Sequence, residues 1–454
     1  MPNAETLDTI VKAYDIRGTV PDQLDADVAH ALGVGFARFA NSSVAIVARD
    51  MRPSGVELVD AFSQGLMEQG VDVIDIGLAS TDLVYFAAGR LDAPGAMFTA
   101  SHNPAQYNGV KLCLAGARPV GVDTGLDLVK ETARRVLNGD GPKPADRSGR
   151  RTERDLLASF VDHVLSFVDV DELRPMKVVA DTANGMGGLV VPAVFERLPR
   201  IELEVMYPEL DGTFPNHPAD PLQPANQRDL QARVVAGGFD LGLAFDGDAD
   251  RVFVVDEQGR GLSGSTTTAL LAASILRKHP GATVLHNLIC SRTVPEVVRE
   301  NGGTPVRTKV GHSFIKQTMA ETGAVFGGEH SAHYYFADNY RADSGLIAAM
   351  LVLEELSRSG VPMSNLRQPF ERYSSSGEIN TQVEDPRAVI DAVSKKFAEY
   401  TQDRLDGLTV DCGSWWFNLR PSNTEPLLRL NLEAPTREEC DERVAELLLE
   451  ITSV

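Results

Sequence analysis

The sequence predicts an α/β protein in which three related α/β units are followed by a smaller α+β unit. Two observations carry this prediction. Short apolar runs alternate with amphipathic stretches over most of the chain, a pattern typical of parallel strands covered by helices. The chain has 454 residues, 43% of them hydrophobic and 24% charged, so it is long enough for about three or more domains with cores of their own.

The first unit is predicted from alternating strands and helices. The predicted strands are Val44–Val47, Val71–Ile76 and Ala96–Thr99, and the predicted helices are Val56–Glu68 and a second one that includes Leu83–Ala88. The following stretch, Asn138–Arg151, is rich in Gly, Pro and charged residues and has no periodicity. It is therefore interpreted as a linker.

The rest of the chain continues this pattern and then changes it. The second and third units have predicted strands at Lys177–Ala180, Glu202–Val205, Leu241–Phe245, Val252–Asp256, Thr283–His286 and Ala324–Phe326. The pattern weakens around Ser374–Gly377. The last unit combines predicted strands at Trp415–Leu419 and Leu427–Leu432 with a helix over Arg437–Glu450, which indicates the smaller α+β unit.

Charge and hydropathy exclude several classes of protein. The 43 Lys and Arg residues against 64 Asp and Glu residues give a net charge of −21, which repels phosphodiester backbones, so no nucleic-acid partner is expected. The longest obvious apolar run, Leu346–Leu353, is far shorter than the ~18 residues of a membrane span. The acidic N-terminus is unlike a signal peptide, and the four scattered cysteines are typical of reduced thiols in a cytoplasmic protein.

The segment Phe98–Pro104 (FTASHNP) is the sharpest local feature. A predicted buried strand delivers Ser101, His102 and Asn103 into the loop at its carboxyl end, where open α/β sheets bind ligands. A serine hydroxyl becomes a good nucleophile only beside a base or a metal. Because Ser and Asn also favour turns, the segment alone leaves a catalytic loop and a plain turn both open.

The loop Asp246–Arg251 (DGDADR) lies between two predicted strands and points to a metal. Three carboxylates at alternate positions repel one another unless a cation lies among them, and oxygen-only ligands favour Mg²⁺ or Ca²⁺ over zinc. An EF-hand is disfavoured because Arg251 replaces the glycine it needs and strands replace its helices. A phosphatase with Asp246 as nucleophile is disfavoured because Asp250 replaces the usual Thr or Val. A solvated acidic turn stays open.

Two later loops offer polar groups, one suited to hydroxyls and the other to phosphate. After a predicted strand, alternate positions offer hydrogen-bond donors and acceptors to hydroxyls, from Glu329, Ser331 and His333. Between two strands of the last unit, a guanidinium, two hydroxyls and an amide form a plausible phosphate cradle from Arg420, Ser422, Thr424 and Asn423. For the first loop alone, a polar turn is an equally good interpretation, and for the second loop alone, a turn bracketed by prolines is the better one.

Together these loops resemble those of the α-D-phosphohexomutase superfamily, in the same order along the whole chain. The family patterns and their matches are T-[GA]-S-H-N-P at Thr99–Pro104, D-G-D-[GA]-D-R at Asp246–Arg251, G-E-x-S-[GA]-H at Gly328–His333 and R-x-S-N-T-E-P at Arg420–Pro426. Three further segments also resemble family elements: Tyr14–Gly18, Tyr107–Lys111 and Lys309–His312. Seven such segments in order make coincidence negligible.

The resemblance implies four domains around a central cleft, three of them related α/β domains with mixed sheets and the last a smaller α+β domain. We expect them at residues 1–150, 151–258, 259–370 and 371–454. In that order they would carry the phosphoserine loop, the metal-binding loop, the sugar-binding loop and the phosphate-binding loop.

The resemblance also implies the site chemistry. Ser101 would carry a phosphoryl group in the resting enzyme, and Mg²⁺ would be held by a phosphoserine oxygen with Asp246, Asp248 and Asp250. The expected catalytic residues are Ser101, His102, Arg17, Lys111 and His312, with either Lys111 or His312 as the general acid–base. The expected substrate-binding residues are Arg251, Glu329, Ser331, His333, Arg420, Ser422, Asn423 and Thr424.

The implied reaction interconverts mannose 6-phosphate and mannose 1-phosphate through a hexose 1,6-bisphosphate, which is also the expected activator. Glucose phosphates are expected as second substrates, and GDP-mannose synthesis as the use of the product. His330, Ala332 and Tyr334–Phe336 resemble actinobacterial phosphomannomutases. The alternatives are a phosphoglucomutase, a phosphoglucosamine mutase or a metal-dependent phosphatase using Asp246. Small hexose phosphates are the expected partners, with no obligatory protein partner.

Overall fold

The computed structural model describes residues 4–421 and 427–453, without the side chains of His312 and Ser453. The chain divides into two compact units. Unit 1 comprises Met1–Leu262 and Ser331–Leu366, and unit 2 comprises Ser263–His330 and Arg367–Val454. Each unit is described by itself.

Unit 1 begins with a mixed sheet covered by helices. Its strands are β1 (Ile16–Thr19), β2 (Val44–Arg49), β3 (Asp72–Leu78), β4 (Gly95–Phe98), β5 (Tyr107–Leu114), β6 (Arg118–Pro119) and β7 (Arg151–Glu153). Its helices are α1 (Thr6–Ile10), α2 (Ala26–Ala40), α3 (Gly55–Glu68), α4 (Thr81–Arg90) and α5 (Leu126–Leu137). The strand order is β1–β5–β4–β2–β3–β7, and β6 pairs with β5.

The central strands of this sheet explain its stability. β2 runs parallel to both β3 and β4, and parallel strands buried on both faces are nearly all apolar. Helix α2 starts at Ala26 because the Asp25 carboxylate accepts a hydrogen bond from the Val28 amide at 3.0 Å. Its apolar stripe, which includes Phe36, packs in the same core as Phe62 and Phe98. The first predicted unit is thus confirmed as an α/β layer.

The predicted linker Asn138–Arg151 is irregular over most of its length, but it ends in a strand. β7 pairs in parallel with β3 at the edge of the first sheet. The Arg151 guanidinium forms ion pairs with Asp60 at 2.6 Å and Asp75 at 2.5 Å. The charge-rich sequence at 151–153 has no strand pattern of its own, so its strand depends on this tertiary pairing.

The second sheet of unit 1 carries the acidic loop. Its strands are β8 (Met176–Asp181), β9 (Ile201–Met206), β10 (Leu241–Phe245) and β11 (Val252–Asp256), in the order β11–β10–β8–β9. Its helices are α6 (Leu157–Leu165), α7 (Gly187–Phe195) and α8 (Arg228–Gly237). β10 and β11 form an antiparallel pair in which Phe245 lies opposite Val252. Residues 246–251 are the loop between them.

The next segment crosses from unit 2 to unit 1. In unit 2 its elements are α9 (Gly264–Lys278), β12 (Thr283–Asn287), α10 (Thr293–Glu300), β13 (Thr304–Thr308), α11 (His312–Thr322) and β14 (Phe326–Gly328). In unit 1 they are β15 (Tyr334–Phe336), α12 (Gly345–Ser359) and α13 (Met363–Leu366). β12 pairs in parallel with both β13 and β14. The strand predicted at Ala324–Phe326 is found at Phe326–Gly328. It extends to Gly328 because both Gly327 and Gly328 pair with β12 although they lack apolar side chains.

Unit 2 ends in an antiparallel sheet. Its elements are β16 (Ser374–Gln382), α14 (Pro386–Lys396), β17 (Thr401–Asp403), β18 (Leu408–Asp411), β19 (Trp416–Pro421), β20 (Leu427–Ala434) and α15 (Arg437–Ser453), with strand order β16–β20–β19–β18–β17. Ser374–Gly377, where the sequence pattern weakens, begins β16 because pairing with β20 supplies the hydrogen bonds. One face, with Phe417 and Leu430, packs in the core.

The observed layers confirm the predicted α/β fold class with mixed sheets and a smaller α+β end. In the part of the chain that the structure describes, no helix is long and apolar enough to cross a membrane. No disulfide joins any of the four cysteines, all of which lie in the described part of the chain.

Candidate active site

Ser101 lies just beyond β4 in a strained turn. Its φ is +48°, a left-handed conformation that costs a non-glycine residue about 1–3 kcal/mol. Its hydroxyl donates a hydrogen bond to Asp246 Oδ2 at 2.7 Å and accepts one from Arg251 Nη2 at 3.1 Å. The side chain is therefore held between a carboxylate and a guanidinium that lie about 150 residues away in the sequence.

The three acids of the loop 246–251 meet in a buried cluster. One oxygen from each of Asp246, Asp248 and Asp250 lies within 4.8 Å of the others. Burial raises the pKa of Asp246 well above its ordinary value, although Arg251 opposes the shift. The acids are thus not a solvated turn, and that alternative is wrong.

Lys111 is the counterion of this cluster. Its Nζ atom lies 2.7 Å from Asp248 Oδ2 and 2.6 Å from Asp250 Oδ2. Burial disfavours its charged form, but the two carboxylates outweigh burial and hold the pKa of Lys111 well above its ordinary value. Burial likewise opposes ionisation of Asp248, and Lys111 nevertheless lowers the pKa of that carboxyl. Lys111 lies on β5, between the apolar residues Val110 and Leu112.

The acid cluster fits a divalent cation. The Oδ1 atoms of Asp248 and Asp250 are buried and have no hydrogen-bond partner within residues 4–421 and 427–453. A buried acceptor without a partner is costly, and carboxylate oxygens are the donors that Mg²⁺ prefers. These two atoms are therefore suited to a cation in addition to Lys111.

His102 lies beside Ser101 but does not share its proton. Its Nδ1 atom is 2.6 Å from Arg251 Nη2 and 3.4 Å from Ser101 Oγ. Because arginine can only donate, the single lone pair of Nδ1 accepts from Arg251. Burial, together with Arg251 and Arg17, holds the pKa of His102 well below its ordinary value. His102 is accordingly neutral near pH 7.

Arg17 reaches the same loop from β1. Its Nη1 atom donates to Asn103 Oδ1 at 2.6 Å, and its Nη2 atom to Asp15 Oδ2 at 2.5 Å. One acceptor, Asn103, lies in the Ser101 loop, and the other, Asp15, directly precedes β1. Together they fix the direction of the guanidinium. Asp15 was not among the predicted site residues.

Arg52 supports the Ser101 loop with more hydrogen bonds than any other described residue that the sequence analysis did not predict. It lies just beyond β2, and its side chain is fully buried. Its Nη1 atom donates to the carbonyls of Pro104 and Tyr107, both at 2.8 Å, and its Nη2 atom to those of Ser101 at 2.9 Å and Asn103 at 2.7 Å. One guanidinium therefore fixes the backbone of the whole Ser101 loop. Its position after a buried strand, beside Asp50, was the available signal.

The Ser101 loop and the acidic loop touch through their backbones. A Cβ atom added to Gly247 would lie 2.3 Å from the Ser101 carbonyl oxygen, so only glycine fits there. A Cβ atom added to Gly185 would in turn lie 2.7 Å from the Gly247 carbonyl oxygen. The glycine of the acidic motif is therefore required by packing between loops rather than by metal chemistry.

Within unit 1, the structure also brings Ser331 and His333 to the acidic loop. His333 Nε2 lies 3.6 Å from Asp250 Oδ1, and His333 Nδ1 lies 3.0 Å from Ser331 Oγ. The backbones of Arg251 and His333 form an antiparallel bridge. Thr81, at the start of α4, supports the loop by donating to Asp248 Oδ2 at 2.6 Å; it too was missed.

Within unit 2, Glu329 is buried directly after β14. Its Oε1 atom accepts hydrogen bonds from Asn287 Nδ2 at 3.2 Å and from the Gly311 amide at 3.1 Å. The neighbouring His330 lies 3.3 Å from Ser265 Oγ through Nδ1, and burial lowers its pKa. Asn287 ends β12, so its place beside β14 follows from the parallel pairing.

The predicted phosphate loop is only partly described. Arg420 is the second-last residue of β19, and its Nη2 atom forms an ion pair with Glu378 Oε2 at 2.5 Å. Ser422, Asn423 and Thr424 lie outside the described residues, as does the side chain of His312, the first residue of α11.

Asp82 is a buried acid next to Thr81 in α4. From its surroundings we expect the stability of the protein to depend on pH. Its Oδ2 atom accepts a hydrogen bond from Ser344 Oγ at 2.6 Å, and Oδ1 accepts one from Ser80. Burial, opposed by these hydroxyls, raises the pKa of Asp82 from 3.8 to about 7. The folded state therefore binds the proton more tightly, so the free energy of unfolding falls as the pH rises from about 4 to about 7.

We expect Asp82→Asn to remove this slope. The rise in the pKa of Asp82 from 3.8 to about 7 corresponds to about 4 kcal/mol of stability. The free energy of unfolding of the variant, relative to that of wild type, should therefore grow by about 2–3 kcal/mol between pH 5 and pH 8. Urea unfolding at both pH values measures this. Asp123→Asn, at an exposed position, is the control and should show no such growth. A difference that is constant with pH would contradict the prediction.

The chain is similar to known proteins along most of its length. Models of the phosphoglucomutase/phosphomannomutase family match four successive segments: α/β/α domain I at 8–136, domain II at 158–260, domain III at 263–373 and the C-terminal domain at 378–450. Together they account for most of the chain.

Individual relatives match along nearly their whole length. The phosphomannomutase of Salmonella montevideo is 40% identical over 94% of this chain and 95% of its own. A protein of Xanthomonas campestris named phosphohexose mutases is 42% identical over 93% and 94%. The crystal structure of a phosphoglucomutase/phosphomannomutase family protein from Burkholderia thailandensis has a TM-score of 0.88 and 32% identity, covering 100% of this chain and 98% of that one. The chain therefore belongs to the α-D-phosphohexomutase superfamily, and it is a phosphohexomutase, an isomerase.

Proposed function

We propose that phosphorylated Ser101 transfers its phosphoryl group to a free hydroxyl of a hexose monophosphate, and that the resulting 1,6-bisphosphate returns its other phosphoryl group to Ser101. The observation that carries this proposal is the buried Ser101 hydroxyl between Asp246 and Arg251, beside a three-acid cluster. In each transfer one O–P bond breaks and one forms, so the enzyme is regenerated without net hydrolysis.

The chain's own cations stabilise the group in transfer. A phosphoryl group on Ser101 Oγ lies beside the Arg251 guanidinium, which is within 3.1 Å of that atom. Arg17, His102 and Lys111 are the further residues that we place toward the phosphoryl oxygens. Asp246, Asp248 and Asp250 would hold Mg²⁺ with a phosphoserine oxygen; when bound, the ion supplies charge neutralisation.

The proton of the attacking sugar hydroxyl needs an acceptor. Of the two predicted candidates, Lys111 is kept protonated by its two carboxylates, so we assign it the role of a fixed cation. We therefore propose His312 as the general acid–base. A neutral imidazole near pH 7 is suited to take and return a proton in the two half-reactions.

The remaining residues are proposed to bind the substrate. Glu329, Ser331 and His333 would take ring hydroxyls, and the non-transferring phosphate would be held by Arg420, Ser422, Asn423 and Thr424. We propose mannose phosphates as preferred substrates and glucose phosphates as second, with the product used for GDP-mannose synthesis. Support comes from the relatives named phosphomannomutase and phosphohexose mutases.

Mass spectrometry of the purified protein tests the mechanism. We expect phosphate on the peptide that contains Ser101 and its loss when mannose 1-phosphate is added. Ser101→Ala should carry no phosphate and should lose turnover by about 10⁴-fold or more, whereas the exposed control Ser148→Ala should keep both.

An acyl phosphate on Asp246 would contradict the mutase mechanism and favour a phosphatase. Parallel kinetics on mannose, glucose and glucosamine phosphates test the substrate separately, and we expect the highest kcat/KM for mannose phosphates. A different sugar with the highest value would overturn only the substrate.

A further inference from the structure

In the last sheet of unit 2, two arginines and one glutamate share a face. Arg420 of β19 lies directly opposite Arg429 of β20, and directly opposed residues point to the same side of a sheet. Glu378 of β16 lies opposite Asn431, two residues beyond Arg429. The three charged side chains therefore lie on one face, opposite the apolar core of this sheet.

The Glu378 carboxylate divides its two oxygens between the two guanidinium groups. Oε2 lies 2.5 Å from Arg420 Nη2, and Oε1 lies 3.4 Å from Arg429 Nη1. The Nε atoms of both arginines are buried and have no partner in the described part of the chain. Neither Glu378 nor Arg429 was predicted as a site residue.

A β-bulge aims Glu378 at these arginines. The register of β16 against β20 shifts between Ser375 and Glu378, and a bulge bends a strand and redirects the next side chain. Gly377, inside the bulge, has a φ of +67°, which glycine adopts without strain. The backbone of β16 itself therefore fixes the position of Glu378.

The charges set up a competition. Two guanidinium groups on neighbouring strands repel each other unless an anion lies between them. Glu378 supplies one negative charge, and each of its two oxygens interacts with one arginine. The oxygens of a phosphate would interact with the same two arginines. A substrate phosphate that binds Arg420 must therefore displace the carboxylate, at least from Nη2.

We propose that Glu378 is a positioning residue that replaces the substrate phosphate on Arg420 and Arg429 each time the phosphate leaves. The inference rests on the proposed function, in which Arg420 binds the non-transferring phosphate and the bisphosphate must leave that site to present its other end. With Glu378 present, phosphate release does not leave two adjacent guanidinium groups without a counterion. The residue weakens phosphate binding and speeds release.

The test is Glu378→Gln, with Glu384→Gln as the matched control. Both variants remove one negative charge, but Glu384 is exposed beyond the end of β16. For Glu378→Gln we expect the KM for both mannose 1-phosphate and mannose 6-phosphate to fall about fivefold, the size of a partly exposed ion pair. The inhibition constant of inorganic phosphate should fall by a similar factor, and kcat should fall with KM. The control should match wild type.

Opposite outcomes overturn the inference. If Glu378 instead orients the arginines for phosphate, KM and the inhibition constant rise; if it has neither role, they do not change. Both constants are independent of the fraction of folded protein, so a loss of stability does not obscure them. Arg420→Ala distinguishes a failure of the proposed phosphate site from a failure of the inference about Glu378. If this variant leaves KM unchanged, the proposed phosphate site is wrong. If it raises KM while Glu378→Gln does not lower it, only this inference fails.

Discussion

Replacement of Lys111 by methionine should lower the free energy of unfolding by about 3–5 kcal/mol in the absence of divalent cations, because it leaves Asp248 and Asp250 buried without their counterion. Added Mg²⁺ should raise the melting temperature of the variant more than that of wild type, since the ammonium no longer competes for the carboxylates. Turnover at saturating Mg²⁺ should stay about 10²–10³-fold low, because the variant lacks the cation that we propose faces the phosphoryl group.

Thermal melts with EDTA and with Mg²⁺, together with steady-state kinetics, measure these effects. Lys130→Met is the control: Lys130 forms an ion pair with the half-exposed Asp8 on the surface, so its loss should cost at most about 1 kcal/mol. Equal stability of Lys111→Met and wild type in EDTA would show that Lys111 is not the counterion. Normal turnover would remove it from the catalytic residues.

Arg52→Lys should slow phosphoryl transfer by about 10²-fold although Arg52 is not assigned a contact with substrate. A lysine cannot reach four carbonyls in the planar geometry of a guanidinium, so the Ser101 loop loses its shared donor, and small displacements of a reacting group cost rates of this size. The variant should also lose about 1–3 kcal/mol of stability, because a lysine leaves some of these carbonyls without a donor.

Single-turnover kinetics separate the two effects. The amplitude of phosphate transfer from Ser101 to sugar phosphate reports the folded fraction, whereas its rate constant reports the geometry of the loop. We expect a reduced rate constant with a nearly unchanged KM. Arg49→Lys, three residues earlier with one bond to the Asp50 carbonyl, should match wild type. A normal rate constant with a reduced amplitude would mean that Arg52 acts only on stability.

The sequence was sufficient for those parts of the site whose chemistry lies in short motifs. Three acids spaced two residues apart on a loop between apolar strands predicted the buried cluster at Asp246, Asp248 and Asp250. A triplet at the carboxyl end of a strand predicted the position of Ser101. In both cases the informative residues are neighbours in the chain, so residue type and spacing mark the segment, although each motif alone left a turn open as the alternative.

The supporting residues could not be predicted in this way. Arg52 bonds to carbonyls 49 to 55 residues away, and Thr81 bonds to Asp248 across 167 residues. Glu378 lies on β16, whose polar sequence has no apolar pattern. Each depends on how separate strands are paired, and a single sequence specifies that pairing only through the complete fold.

The backbone contact between Gly247 and Ser101 has a consequence for the timing of synthesis. Ser101 and its acceptor Asp246 are 145 residues apart in the chain. At ~5–20 residues per second, the ribosome adds Asp246 roughly 7–30 s after Ser101. During that interval the nascent serine loop has neither the carboxylate nor the Arg251 guanidinium beside it. The Ser101 hydroxyl therefore meets its two partners late, and a chain that stalls before residue 246 contains neither of them.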